Sequence, residues 1–183
     1  MSDVVPLTGE PLALDLVNTR TAVGDLLASP DDLRKWCALQ AGRLPDEVVA
    51  DAAALAAVQV VREHTARALE RLRHGERPDD EDLKALNDAQ RAAPAISELV
   101  WDGSTLITER RRSGPSETHL AAHLAEAAAE LLTDPAITKV RECEADDCVM
   151  LFLPAHPRRR WCSPARCGNR VRVARHYQRR KAD

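Results

Sequence analysis

Apolar residues recur at helical spacing over most of the chain. Ser29-Pro30-Asp31-Asp32 supplies a hydroxyl cap, a proline in the first turn and acids at the positive helix end. The spacing then predicts a helix to about residue 41, stopped by Gly42, with Leu33, Trp36, Cys37 and Gln40 on one side. An alanine-rich helix is expected over residues 45–73, with Val49, Ala53, Ala56, Val60 and Leu69 in its apolar stripe. Arg67, Arg71 and Arg73 suit its negative end, and Gly75 closes it. A third helix starts at residues 78–81, carries Leu83, Leu86 and Ala89, and ends before Pro94. A fourth opens at Ser116-Glu117 and runs to about residue 132, burying Leu120, Leu124 and Leu131. Asp134-Pro135 caps a short continuation through Ile137 and Val140.

The period shortens in two places. Residues 96–110 are β-prone on both sides of Asp102-Gly103, which predicts strands at 96–101 and 104–110 joined by a tight turn. Arg110, Arg111 and Arg112 follow as a basic cluster, either a solvated strand end or an anion contact. Residues 149–153 form a second strand candidate, with a turn at 154–157. Between turn signals near the start, residues 12–17 are too short for the period to separate strand from helix. Asp15, Asn18 and Thr19 sit there among apolar residues. They serve capping and turn chemistry or, alternatively, line a ligand pocket.

The cysteines change the picture most. Cys143, Cys148, Cys162 and Cys167 make two C-x4-C pairs separated by thirteen residues, while Cys37 stands apart and reads as a core residue. Each pair can fold a knuckle that aims two thiolates at one point. Four sulfur donors suit a tetrahedral Zn²⁺ and leave no open coordination position, so the expected site holds one structural ion. Two disulfides or four free thiols are the alternatives. Ser163-Pro164 starts a final helix, with Cys167 in its opening turns. At about 100° per residue, Arg172, Arg175, His176 and Arg179 share one face of that helix. Arg170 lies on the other side and is expected to orient the knuckles by hydrogen bonding. Phe152 and Trp161 are expected to form the small core under the metal. The fold class is therefore α+β and predominantly helical. A first domain with a small hairpin (residues 1–136) precedes a treble-clef-like zinc module of knuckle, hairpin, knuckle and basic helix (residues 137–183).

Charge follows the same division. Residues 1–140 carry 15 Lys/Arg against 24 Asp/Glu, whereas residues 141–183 carry 11 against 5. Ten basic residues and no acid lie from Arg158 to Lys181. A net charge of −3 hides this polarity, which points to a polyanion-binding tail on an acidic body. Arg158, Arg159 and Arg160 would hold phosphates beside the helix, with one or two side chains reaching base edges. Over 183 residues, 44 % hydrophobic and 30 % charged composition suits one ordinary globular domain plus a satellite. No apolar run reaches the length of a membrane span, and the first residues lack the pattern of a secretory signal, so a cytoplasmic location is expected.

Arg160-Trp161-Cys162-Ser163, then Cys167-Gly168-Asn169-Arg170 and a basic helix, resemble the CGNR zinc finger. Leu14-Asp15-Leu16-Val17-Asn18-Thr19 resembles the Leu-Asp-Phe-Val-Asn-Thr stretch of ABATE domains, which precede such fingers. The resemblance covers nearly the whole chain. It implies that the four clustered cysteines are the zinc ligands, that the first domain is an α/β ligand sensor, and that the finger binds DNA in a stress-induced transcription regulator. Pro154-Ala155-His156-Pro157 departs from the family, which usually has an Asp with small polar residues there.

The leading expectation is a DNA-binding regulator whose first domain senses a small molecule or protein; a symmetric homodimer would suit paired half-sites. A zinc-stabilised protein- or RNA-interaction module is the alternative. An enzyme is not expected: the chain has no glycine-rich phosphate loop, no G-x-S-x-G elbow and no His-Glu-x-x-His pair.

Overall fold

A computed structural model describes residues 7–45 and 47–182; the side chains of Arg175, His176, Gln178, Lys181 and Ala182 lie outside the described residues. The first domain is built on helices α1 (Leu12–Val17), α2 (Pro30–Leu39), α3 (Ala52–Arg73), α4 (Asp80–Ala92) and α5 (Ser116–Thr133). A two-stranded ribbon, β1 (Arg20–Thr21) and β2 (Gly24–Asp25), links α1 to α2. Helices α3, α4 and α5 pack on one another, and α1 lies across α3 and α5. Leu14, Leu16, Leu33, Trp36, Val58, Leu69 and Leu124 close the core, all of them fully buried or nearly so.

Local chemistry sets the helix boundaries. Ser29 caps α2 as expected, its hydroxyl accepting the Asp32 amide at 3.2 Å. The long helix starts later than the apolar stripe suggests, at Ala52 rather than near residue 45. Asp51 is extended and its carboxylate accepts the Ala54 amide at 2.8 Å, so the cap forms there. Val48 and Ala50, upstream of it, pack on the core as non-helical chain. The ambiguous segment after Pro11 is helix α1. Burial pushes the Cys37 thiol up to about 11, in keeping with a core role.

Strands β3 (Ala95–Trp101) and β4 (Leu106–Arg112) form the expected hairpin with a longer turn. Trp101 pairs with Leu106, which leaves four residues in the loop. The Asp102 carboxylate accepts the Ser104 and Thr105 amides at 2.8 and 2.9 Å, stabilising this wider turn. The basic cluster is internally paired: Arg110 and Arg112 bond to Glu126 of α5, and Arg111 to Glu109 and Glu98. The chain then re-enters at Gly114, where φ is +93° and a Cβ would lie 2.3 Å from the Ala92 carbonyl oxygen; only glycine fits there.

A 3₁₀ turn (Pro135–Lys139) leads directly into the C-terminal module. There β5 (Arg141–Glu142) pairs with β6 (Leu151–Phe152), a shorter strand than the five residues expected. A π-helical turn (Pro164–Gly168) precedes α6 (Asn169–Ala182). Among the described residues every sheet is two-stranded, so the first domain is a helical α+β structure and not the α/β sheet that the resemblance implied.

Candidate metal centre and its mounting

The first knuckle is made by backbone bonds. The Cys143 amide donates to the Met150 carbonyl at 2.9 Å, and the Cys148 amide to Ala145 at 3.2 Å. Asp147 takes the left-handed conformation (φ 59°) that turns Cys148 inward. The second knuckle approaches as the Glu144 amide donates to the Arg160 carbonyl at 3.0 Å. The Cys162 amide points at the Cys143 sulfur at 3.3 Å. Ser163 caps the following turn through the Arg166 amide at 3.3 Å. The Gly168 amide then reaches the Ser163 carbonyl at 3.0 Å, a five-residue span that widens the turn and places Cys167 inward. A regular helix through Gly168 is therefore replaced by this wider turn, and the angular reading of the basic face holds only from α6 onward.

The four sulfurs lie within 4.8 Å of one another. Cys148 to Cys162 is 3.9 Å, Cys162 to Cys167 is 3.6 Å and Cys148 to Cys167 is 3.6 Å. A zinc–sulfur bond of about 2.3 Å gives a tetrahedron with edges of about 3.8 Å, so the spacing suits one Zn²⁺. The thiols are separate rather than bridged. Burial raises Cys148 to about 11 and Cys162 further, and neighbouring thiolate charge adds to this. Burial also tends to raise Cys143, but amides of Cys162 and Ala145 outweigh it and its pKa is lowered. Four thiolates packed this closely need a divalent cation among them. When bound, zinc supplies cross-linking, since four protein thiolates fill its coordination.

Phe152 is fully buried under the site, as expected, and Trp161 packs beside it. Leu7, from the other end of the chain, completes this second core. The Arg170 guanidinium donates to the Asp146 carbonyl at 2.8 Å and lies 3.9 Å from the Cys167 sulfur. It thus ties the last helix to the first knuckle. In the turn that departs from the family, His156 Nδ1 accepts the Arg158 amide at 3.1 Å, the part a short acidic side chain plays in an Asx turn.

Of the residues expected to line a ligand pocket, Asn18 borders a cleft beside the cysteines, whereas Asp15 and Thr19 are buried in internal hydrogen bonds. Asp15 is fully buried and accepts the Gly9 and Glu10 amides at 3.0 and 3.1 Å and Arg43 at 2.6 Å. Its oxygens are spent on the loop before α1. Thr19 bonds to the Leu16 carbonyl and receives Arg62, which is clamped by both oxygens of Asp25 at 2.6 Å. The Asn18 amide reaches across to the zinc module. Its nitrogen donates to the Leu151 carbonyl and its oxygen accepts the Leu151 amide, both at 2.8 Å. One side chain thereby imitates a neighbouring strand for β6.

Glu10 makes the second crossing. One carboxylate oxygen accepts the Leu153 amide at 2.9 Å and the other accepts Arg159 at 2.5 Å. Arg159 also donates to the carbonyls of Leu153, Trp161 and Cys162 and lies 4.5 Å over the Phe152 ring. This corrects the expectation of a phosphate contact: the Arg159 guanidinium is an internal strut whose donors point inward. Glu10 escaped sequence reading because its partner lies 149 residues away. Arg160 is exposed but paired with Glu144 at 2.5 Å. Arg158 and Arg179 are exposed, and Arg172 lies along its helix, donating to Gly168 and Asn169. Arg175 and His176 belong to α6, with side chains outside the described residues.

A helical domain fastened to a closed four-thiolate centre defines a two-part zinc-finger protein. Residues 10–135 match the ABATE family, whose description reads "Putative stress-induced transcription regulator", and residues 139–180 match the CGNR zinc finger. The chain belongs to the ABATE family and carries a CGNR zinc finger after that domain. No curated protein matches it. Among the described residues no helix is long and apolar enough to cross a membrane.

Proposed function

We propose that the chain is a DNA-binding transcription regulator in which the zinc centre presents α6 to the duplex and the first domain senses an effector. The observation that carries this reading is the basic helix itself. It starts two residues after Cys167, carries Arg170, Arg172, Arg175, Arg179 and Arg180 along its length, and belongs to a module of opposite charge sign to its mount. Arg172 and Arg179 on α6, with Arg158 in the preceding turn, offer exposed cations. Arg175 and His176 share the α6 face by helical phase. Such a set suits phosphate contacts, and one or two of its side chains suit base edges in the major groove. The reading is of a binding protein in the cytoplasm rather than an enzyme: four thiolates leave zinc no position for water or substrate. Selection of binding sites from fragmented genomic DNA tests it. A recovered preferred sequence supports the regulator, and a pool that stays random after repeated rounds contradicts it.

One observation favours docking on a protein instead. Val173 and Tyr177, four residues apart on α6, are more than half exposed. If they anchor a partner, Tyr177→Ala abolishes that contact while duplex affinity holds.

A further inference from the structure

The β3–β4 hairpin stands outside the helical core. Its strands pair along their whole length, no residue of either is buried, and among the described residues no third strand joins them. A two-stranded ribbon is marginal in water unless a further strand or a packed face supports it. The base of the hairpin is tied to α5 through Arg110, Arg112 and Glu126. Toward the turn it carries Leu99, Trp101 and Leu106, which are 72, 64 and 60 % exposed. Leu99 pairs with Thr108 and Trp101 with Leu106, so all three side chains stand on one side of the ribbon.

The two outer edges differ. β4 ends in Glu109, Arg110, Arg111 and Arg112, charges of the kind that keep another strand away. β3 carries a single charge, Glu98. At one end of β3 the Asp102 amide donates to the Thr105 carbonyl at 3.2 Å, and at the other the Pro94 carbonyl accepts the Ser113 amide at 3.2 Å. Even-numbered residues thus turn their backbone groups toward β4, and Ser97, Leu99 and Trp101 turn theirs to the open edge. Such a row of unpaired groups is a template for another strand. An identical β3 satisfies both its bonding and its charge. A two-fold axis normal to the ribbon at Leu99 sets Leu99 against its own copy and Ser97 against the partner's Trp101, each pair bonding through outward groups. Glu98 then faces the partner's Val100; an axis through residue 98 would oppose two carboxylates. We propose that β3 is the interface of a symmetric dimer, in which two hairpins join as one four-stranded antiparallel sheet. Leu99, Trp101 and Leu106 of both copies make an apolar strip across the axis. Only the charged β4 edges remain outside, so assembly closes at two chains. Even at the about 250 Å² of a full aromatic side chain, three residues with these exposures offer less than about 500 Å² per copy. A standard interface buries about 800 Å² per partner, so this dimer separates on dilution through the micromolar range. It presents two α6 helices related by a two-fold axis, as a palindromic site requires. That consequence rests on the regulator reading; the interface does not.

Sedimentation equilibrium of the zinc-loaded full chain, from low to high micromolar concentration, is expected to show a monomer passing to a dimer and no further. Leu99→Lys and Leu99→Glu each oppose like charges at the axis and weaken the dimer about tenfold or more. Melting temperature and zinc content hold in both, because the position is exposed. An equimolar mixture of the two variants dimerises again, since the charges at the axis are then opposite in sign. A chain that stays monomeric at every concentration overturns the proposal and leaves the open edge to a strand of another protein. Undiminished dimerisation of either variant also overturns it, and weakening without rescue in the mixture overturns the register at Leu99. A monomer that still selects a DNA sequence counts against this interface alone, whereas a dimer without sequence preference counts against the regulator reading alone.

Discussion

At the scale of single residues, the account turns on polar side chains that satisfy backbone groups far away in sequence. Asn18 bonds both the amide and the carbonyl of Leu151, so Asn18→Ala leaves two partly buried groups without partners. We expect a loss of about 2 kcal/mol, the usual penalty for stranding such groups, read from the denaturant midpoint. Amide exchange at Leu151 should quicken in the same variant; an unchanged midpoint and exchange rate would contradict the clamp. The Asp25–Arg62 pair has a pH signature. Burial tends to raise the Asp25 carboxyl, but hydrogen bonds from Arg62 and the Leu27 amide outweigh it and hold the pKa below the ordinary range. The folded value thus lies below the unfolded one. The stabilisation is complete above the usual carboxylate pKa of about 4 and disappears as pH falls through the lowered folded value. Asp25→Asn should flatten that acid limb. At pH 7 it should cost about 3 kcal/mol, because Arg62 is left buried without its counter-charge. Equilibrium unfolding across pH 2–7 checks both.

At the scale of elements, the zinc module owes its fold to metal and to its mount. Its core holds little besides Leu7, Ala145, Phe152 and the ligating cysteines. A structural zinc is worth on the order of 10 kcal/mol to such a module. A strong chelator should therefore remove exchange protection at the Cys143 and Cys162 amides while α3 and α5 stay protected. Equal loss in α3 and α5 would mean that the two parts unfold as one. This division was partly legible beforehand. Helices α2, α4 and α5 announce themselves by caps, breakers and stripes, and two C-x4-C pairs specify a local centre. Neither the start nor the inward face of α3 was legible: the cap forms at Asp51, and of the expected stripe only Leu69 is buried, while Val49, Ala53, Ala56 and Val60 are exposed and Leu55, Val58 and Val61 face the core. The width of the hairpin turn depended on the Asp102 side chain rather than on the Asp-Gly pair. The roles of Glu10, Asn18 and Arg159 were not legible, since each depends on contacts more than 130 residues apart that leave no local periodicity.

At the scale of the whole molecule, an acidic helical domain holds a basic helix at a fixed place through Asn18, Glu10 and the shared core at Leu7. Charge asymmetry alone favours association with a polyanion. A rigid mount turns that attraction into a particular approach, which is what a regulator requires and a solvated tail does not supply. Removing one phosphate contact should lower the slope of log affinity against log salt by about 0.9 on duplex DNA. The most direct test is that slope for the zinc-loaded chain and for its Arg172→Ala, Arg175→Ala double variant. The account predicts a steep slope that becomes shallower by about 2 in the variant, with zinc content and melting temperature unchanged. Indistinguishable slopes in the two proteins would contradict it.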